Sequence, residues 1–328
     1  MSEAMLEKAE WQSLRPAEAQ TTVETRIREQ SAAYKKAGIE VLVVNIPQTS
    51  PYWMAPFVES LLSMVAGEIY NNLLRKFKVK LYLNLDTNFP IDYNRNNAMT
   101  KALEVFDADY IMQFDTDMTF DIDTIPALLE AIKAPSPDGD QVEIVSGIYF
   151  LKHPPFRPVL GLYTSWEKEM LVNEAFLRGH GFVCGGECKD PRHAAGTHQL
   201  MRFQAPHFWP SEKLFRADVI GVGCVLSRAS MWRKLSYPYY RYGPNPIHGP
   251  ARNGAAEVSE DMYWCAQMHR AGIKVWVHPS VECVHLGVMK VSGSMYRGHF
   301  SAAQARIRAL PEGHPEKKLF MDNVLDLR

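Results

Sequence analysis

Four short runs of β-branched and other apolar residues, separated by stretches of helical spacing, fill residues 39–150 and leave this chain few folds to choose from. The runs are Ile39–Ile46, Val79–Leu85, Tyr110–Phe114 and Val142–Phe150. Between them, Phe57–Ile69 carries apolar residues at helical intervals. A second helix is expected through Ala98, Leu103 and Phe106, capped by Asp92 or Asn94, and a third over Ile125–Ile132, opened by Asp121 or Asp123. Strand and helix in strict alternation predict a Rossmann-like, mostly parallel α/β sheet. Right-handed crossovers then put the carboxyl ends of these strands on one edge, where open α/β folds bind ligands. Asn45, Asp86 and Asp115 are expected to line that crevice.

The flanks read differently. Residues 1–36 are polar and free of glycine, which predicts an N-terminal helical arm closed by Gly38. The sheet-forming half covers 37–150. A second half over 151–290 is irregular, with a loop-rich insertion at about 164–216, and a helical tail occupies 291–328. In that second half the expected elements are a strand over Asp218–Leu226 interrupted by glycines, a brief helix begun by Ser227 or Ser230, and a helix from Ser259 to Arg270. Two short strands, Lys274–Val277 and Val281–His285, complete it.

Composition narrows the function classes. A hydrophobic content of 46% with 22% charged residues is that of a globular protein with a sizeable core. A net charge of −1 provides no global field to gather nucleic acid or anionic lipid. No apolar run approaches the ~20 residues of a membrane span, and the start of the chain lacks a signal-peptide core. Five cysteines do not suggest a disulfide framework, so a reducing cytoplasm is the expected setting. There is no Gly-x-Gly-x-x-Gly after the first strand and no Walker loop, so dinucleotide binding and phosphate-loop hydrolysis lack their usual anchors.

Chemistry concentrates where the third strand runs out, at Asp115-Thr116-Asp117. On an extended segment the i, i+2 spacing points both carboxylates to one side. Two such groups repel and commonly share a divalent cation or a proton; Asp-Thr-Asp is also ordinary turn chemistry. Hard oxygen ligands favour magnesium, manganese or calcium. A second acidic pair, Glu260 and Asp261, comes after Ser259, an N-cap residue that would aim both at the sheet edge.

Taken together, these features resemble a nucleotide-sugar-dependent glycosyltransferase of the GT-A fold, near the large family-2-like group. Asp115-Thr116-Asp117 resembles the DxD motif, and Gly221-Val222-Gly223 the glycine-rich acceptor-side loop. Ser259-Glu260-Asp261 resembles the xED motif, and His285 in Val284-His285-Leu286-Gly287 the C-terminal metal-binding histidine. Asn94-Arg95-Asn96 with Ala98 resembles the Arg-Asn element placed near the nucleotide. The resemblance spans roughly residues 39–290. It implies a metal site of Asp115, Asp117 and His285, with Mn2+ (or Mg2+) the expected ion, because an imidazole among oxygens suits manganese better than calcium. It implies Asp261 as general base, with Glu260 second or binding the acceptor, in an inverting transfer. It also implies donor contacts, with a UDP-sugar favoured, from Ile46, Asp86, Arg95, Asp115, Gly221 and Gly223.

Other expectations stay open beside it. Cys184, Cys188, His193 and His198 could hold a structural Zn2+ in the insertion, although their spacing is not that of the common fingers. Gly147-Ile148-Tyr149 and Lys152-His153-Pro154-Pro155 could border a sugar pocket. Aromatic and basic residues of the insertion, together with the loop Tyr239–Arg252, suit a glycan, protein or modified-DNA acceptor. The alternatives are a nucleotidyltransferase on a related sheet and a non-catalytic nucleotide-sugar-binding module.

Overall fold

The computed structural model describes residues 17–48, 52–65, 73–87, 90–152, 158–163, 203–204, 213–244 and 257–287, with single positions 292, 305, 309 and 311. A long helix, α1 (Ala17–Lys36), precedes strand β1 (Glu40–Pro47). Then come α2 (Ala55–Val65), a π-turn (Leu73–Phe77), β2 (Val79–Asp86), α3 (Ile91–Glu104), β3 (Tyr110–Phe114), β4 (Met118–Thr119), α4 (Thr124–Lys133) and β5 (Ile144–Ile148). The second half holds β6 (Leu160–Tyr163), β7 (Phe203–Gln204), β8 (Phe215–Ala217), β9 (Val219–Ile220), β10 (Cys224–Arg228) and the short α5 (Ala229–Trp232). It ends in β11 (Gly243–Pro244), β12 (Glu257–Val258), α6 (Glu260–Arg270), β13 (Val275–Glu282) and β14 (Val284–His285).

Seven strands form the central sheet in the order β2-β1-β3-β10-β5-β13-β8. β1 pairs in parallel with β2 and β3, and β13 with β5, whereas β10 and β8 run against their neighbours. Five of the seven strands therefore point the same way, which is the mixed, mostly parallel α/β sheet expected of a GT-A-like arrangement. β1 shows why the run reads as continuously apolar. Val41 and Val43 face one core layer while Leu42, Val44 and Ile46 face the other, so both faces of the strand are covered. On the first face lie Met99 and Ala102 of α3 and Trp264 and Met268 of α6, joined by Ile27 of α1. Phe57 and Met64 of α2 and Ile125 and Leu128 of α4 fill the second.

The direction of β10 decides what reaches the ligand-binding edge. Being antiparallel, it begins where β3 ends: Cys224 pairs with Phe114. The glycine stretch just before it is thereby delivered onto the carboxyl edge of the parallel strands.

Several boundaries differ from expectation, each for a physical reason. α3 starts after Pro90 rather than after Asp92 or Asn94, because the Asn94 amide donates to the Asp86 and Gln48 carbonyls instead of capping its own helix. The two strands expected over Lys274–Val277 and Val281–His285 are a single strand, β13, and the short β14 after it. Pro279 offers no ladder donor, and the β5–β13 register slips between Val277 and Glu282. β5 is shorter than the apolar run around it, and Phe150 instead bridges Pro158. Among the described residues no helix is long and apolar enough to cross a membrane. Residues 1–16 of the arm, most of the 164–216 insertion and nearly all of the 291–328 tail lie outside the described residues.

Candidate active site

Four chain segments meet at the carboxyl edge: the end of β3, the glycine stretch before β10, the start of α6, and β14. β14 is the most distant in sequence and the most firmly tied. It pairs with β4, matching His285 to Met118, and the Leu286 amide donates to the Asp117 carbonyl at 2.7 Å. This ladder carries His285 to the aspartate turn.

His285 Nδ1 lies 2.7 Å from the Phe150 carbonyl oxygen. A carbonyl only accepts, so Nδ1 carries the proton and Nε2 is the nitrogen turned toward Asp117 Oδ2, 3.6 Å away. In the neutral ring Nε2 presents a lone pair to a carboxylate oxygen. Two lone pairs so placed call for a proton or a cation between them. The Lys152 ammonium also donates to Asp117 Oδ2. Burial pushes the Asp117 carboxyl up, but His285 and Lys152 outweigh it and bring it down to about 2. It is ionised at neutral pH.

Asp115, expected beside Asp117 in the metal site, is paired here with a protein cation. The chain turns at Thr116–Asp117 instead of staying extended, and the Asp115 and Asp117 carboxylates remain close enough that burial and Asp117 both raise the Asp115 pKa. Asp115 Oδ1 accepts from Arg95 Nη2 at 2.8 Å, and Arg95 Nε lies 3.4 Å from Glu260 Oε1. Arg95 is only 5% exposed, so it is not a surface ion pair. It joins the first carboxylate of one motif to the first carboxylate of the other. Burial opposes its charge, yet Asp115 and Glu260 hold its pKa above the ordinary guanidinium value. Burial raises both Asp115 and Glu260, and Arg95 pulls both back.

Asp261, one residue on, is set differently. Ser259 occupies the N-cap position of α6, and its hydroxyl turns to Asp261 Oδ1, which also accepts from the Met262 amide at 2.8 Å. That carboxylate is therefore oriented by two donors while remaining half-buried.

The neighbours of Arg95 carry the rest of the scaffold. Asn96 Nδ2 donates to the Tyr240 carbonyl at 2.7 Å, and its Oδ1 accepts from the Tyr239 and Tyr240 amides at 2.8 and 3.1 Å. Tyr240 bonds the Gln113 amide through its hydroxyl and lies under the Arg95 guanidinium, 5.9 Å from carbon to ring centre. Trp232 and Trp264 stack at 5.2 Å beside it. Three consecutive buried polar side chains, Asn94, Arg95 and Asn96, thus pin the ends of β1, β2 and β3, the start of α6 and the Tyr239–Tyr240 segment to α3.

Tyr149 and Met118 explain the two glycines. A Cβ on Gly221 would collide with the Tyr149 hydroxyl oxygen, and one on Gly223 would run into Met118 Sδ and come within 3.2 Å of Asp115 Oδ2. The Gly223 amide donates to that hydroxyl at 3.3 Å, and the ring meets His285 edge-on at 5.5 Å. The glycines give space to a protein tyrosine as well as backbone access to the site. Gly221→Ala is expected to lower unfolding free energy by about 1–3 kcal/mol, as overpacking does. Adding Tyr149→Phe should recover part of that loss in thermal melts, because it removes the closest atom.

Two expected donor contacts are placed unfavourably. Ile46 is fully buried in the core layer against α2 and α4, so its side chain offers nothing to a ligand. Asp86 sits at the right edge, opposite Pro47, but its carboxylate is enclosed and takes a 3.0 Å bond from Lys101. Tyr149 and Lys152, expected only to border a sugar pocket, contact His285 and Asp117 directly, and Gln113, to which the sequence assigned nothing, bonds Tyr240 beneath Arg95. Cys184, Cys188, His193 and His198 lie outside the described residues. Among the described residues no group of three His, Cys, Asp or Glu side chains is arranged to hold a metal. Asp117 and His285 form a pair only. That suits a hard cation that takes one or two protein ligands and completes its shell with water and substrate phosphates.

No protein-family model and no curated protein matches the chain. Solved structures similar to it include A197 from STIV, at 13% identity and a TM-score of 0.41, covering 78% of this chain and 92% of that one. Another is GalNAc-T7 with UDP, GalNAc and Mn2+, at 11% identity and 0.41, covering 87% of this chain and 55% of that one. A putative glucose-1-phosphate thymidylyltransferase from Bacillus anthracis matches at 9% identity and 0.32, covering 85% and 99%. At these TM-scores none of the likenesses fixes an activity.

Proposed function

We propose that this chain is a metal-dependent glycosyltransferase that moves a sugar from a nucleotide-diphosphate sugar, a UDP-sugar by preference, to an acceptor hydroxyl. The observation that carries the proposal is the His285–Asp117 pair, in which His285 Nδ1 is held by the Phe150 carbonyl and Nε2 is turned to an Asp117 carboxylate oxygen 3.6 Å away. Charge supports it. Asp115, Asp117, Glu260 and Asp261 set four carboxylates against Arg95 and Lys152, so two negative charges are left uncompensated, and a diphosphate would be repelled without a divalent cation.

Asp117 and His285 would hold Mn2+ or Mg2+, and such an ion supplies neutralisation of the departing nucleoside diphosphate. The protein's own residues do the remainder. Asp261, oriented through Oδ1, takes the acceptor hydroxyl's proton as that oxygen attacks the anomeric carbon, inverting its configuration. Glu260 is committed to Arg95, so it positions rather than reacts. Arg95 keeps Asp115 and the start of α6 at a fixed separation.

The test is a panel of donors and acceptors read by mass spectrometry, with and without Mn2+. Glycan, protein and hydroxylated-DNA acceptors should all be included. Manganese-stimulated turnover is expected, with Asp117→Ala reducing it at least about a thousandfold, the several kcal/mol a Lewis acid contributes. Full activity in that variant would remove the metal-centred mechanism. Pyrophosphate release from a nucleoside triphosphate would move the chain to nucleotidyl transfer, and donor binding without any turnover would leave a binding module.

A further inference from the structure

Both aspartates of the turn carry a protein cation, but the two cations are held in different ways. Arg95 is buried between two carboxylates and cannot leave without stranding them. Lys152 has a side chain 38% exposed and reaches Asp117 Oδ2 from just beyond Phe150, the residue that fixes the His285 tautomer. The oxygen it takes is the one that faces His285 Nε2. A divalent ion placed between Asp117 and His285 would need that same oxygen. One carboxylate oxygen cannot serve an ammonium and a divalent ion at full strength, because the two cations repel each other at contact distance. Whatever seats the ion must therefore release Lys152, whose backbone keeps the ammonium beside the site. A compact point charge on a flexible stem is well suited to bind phosphate oxygens there.

We propose that Lys152 is a diphosphate-binding residue of this site, resting on Asp117 in the free protein and passing to the donor's phosphate oxygens when cation and donor enter. The inference deepens the proposed function and rests on it. In the transfer the acceptor oxygen forms its bond to the anomeric carbon and gives its proton to Asp261. The bond from that carbon to the β-phosphate oxygen breaks, and its electron pair stays on the oxygen. Lys152 lies against that new charge as a hydrogen-bond donor.

Two binding measurements on the full chain test this without turnover: Mn2+ alone by electron paramagnetic resonance, and UDP with saturating Mn2+ by calorimetry. Lys152→Met is expected to bind Mn2+ about tenfold more tightly and UDP about tenfold more weakly, as removal of one charged hydrogen bond implies. Lys152→Arg should restore much of the UDP affinity. If Lys152→Met equals wild type in either measurement while wild type binds UDP with Mn2+, the inference fails and the proposed function stands. If wild type binds no UDP even with Mn2+, both fall together.

Discussion

Arg95→Met is expected to be the most destabilising single change at this site, costing about 3–5 kcal/mol, the usual result of removing one partner from a buried ion pair. Two carboxylates, Asp115 and Glu260, would be left in a poorly hydrated pocket that also holds Asp117 and Asp261. For a domain of this size the loss corresponds to roughly 6–15 °C in melting temperature. Its pH dependence gives the cause away. Burial already raises both carboxyls above their ordinary values, and Arg95 is what pulls them back. Without it, both folded-state pKa values rise further above those of the unfolded chain. The folded state then binds more protons than the unfolded one, so stability increases as pH falls from neutrality toward the raised values. Thermal melts of the variant should show the deficit shrinking in mildly acidic buffer relative to wild type. Glu260→Gln added to Arg95→Met should recover part of it at neutral pH. A deficit that is flat with pH would mean that Arg95 acts through packing on Tyr240 and not through its charge.

This dependence on long-range pairing also marks where the sequence was legible and where it was not. β1, β2, β3 and β5 could be read directly, since β-branched runs bounded by turn residues need no partner to declare themselves. The Asp218–Leu226 run was equally visible as a broken strand. Its insertion, antiparallel, between β3 and β5 was not, because neighbours in a sheet are set by contacts more than 70 residues apart. The same limit applied to the site. Asp115, Asp117, Glu260, Asp261 and His285 stood out by residue type and spacing, and the structure brings them to one edge. Their partnering depended on side chains with no local signature: Tyr149 filling the space of two glycines, Lys152 reaching a turn 35 residues back, and Arg95 spanning two motifs. Ile46 shows a different limit. A residue at the carboxyl end of a strand in a sheet covered on both faces can point into the core as readily as toward a ligand.

Asp261→Asn is expected to lower kcat by about a hundredfold to ten-thousandfold, the range for loss of a positioned general base. The substitution is unusually clean here. Oδ1, which accepts from the Ser259 hydroxyl and the Met262 amide, persists as the amide oxygen, so the first turn of α6 keeps its geometry. Arg95 continues to pair with Asp115 and Glu260, so the scaffold should melt at the wild-type temperature. Donor KM should likewise be unchanged, because the residues proposed to meet the diphosphate, Asp117, His285 and Lys152, lie on other segments. The contrasting variant is Glu260→Gln, which weakens the buried pair with Arg95 and should cost stability as well as rate. Rate and stability therefore separate at two adjacent residues: Asp261 loses turnover alone, and Glu260 loses both. Steady-state kinetics with the best donor and acceptor, beside thermal melts of the same preparations, decide the matter. If Asp261→Asn retained wild-type kcat while Glu260→Gln lost it without melting earlier, the base would be Glu260 and the roles of the two carboxylates would be exchanged.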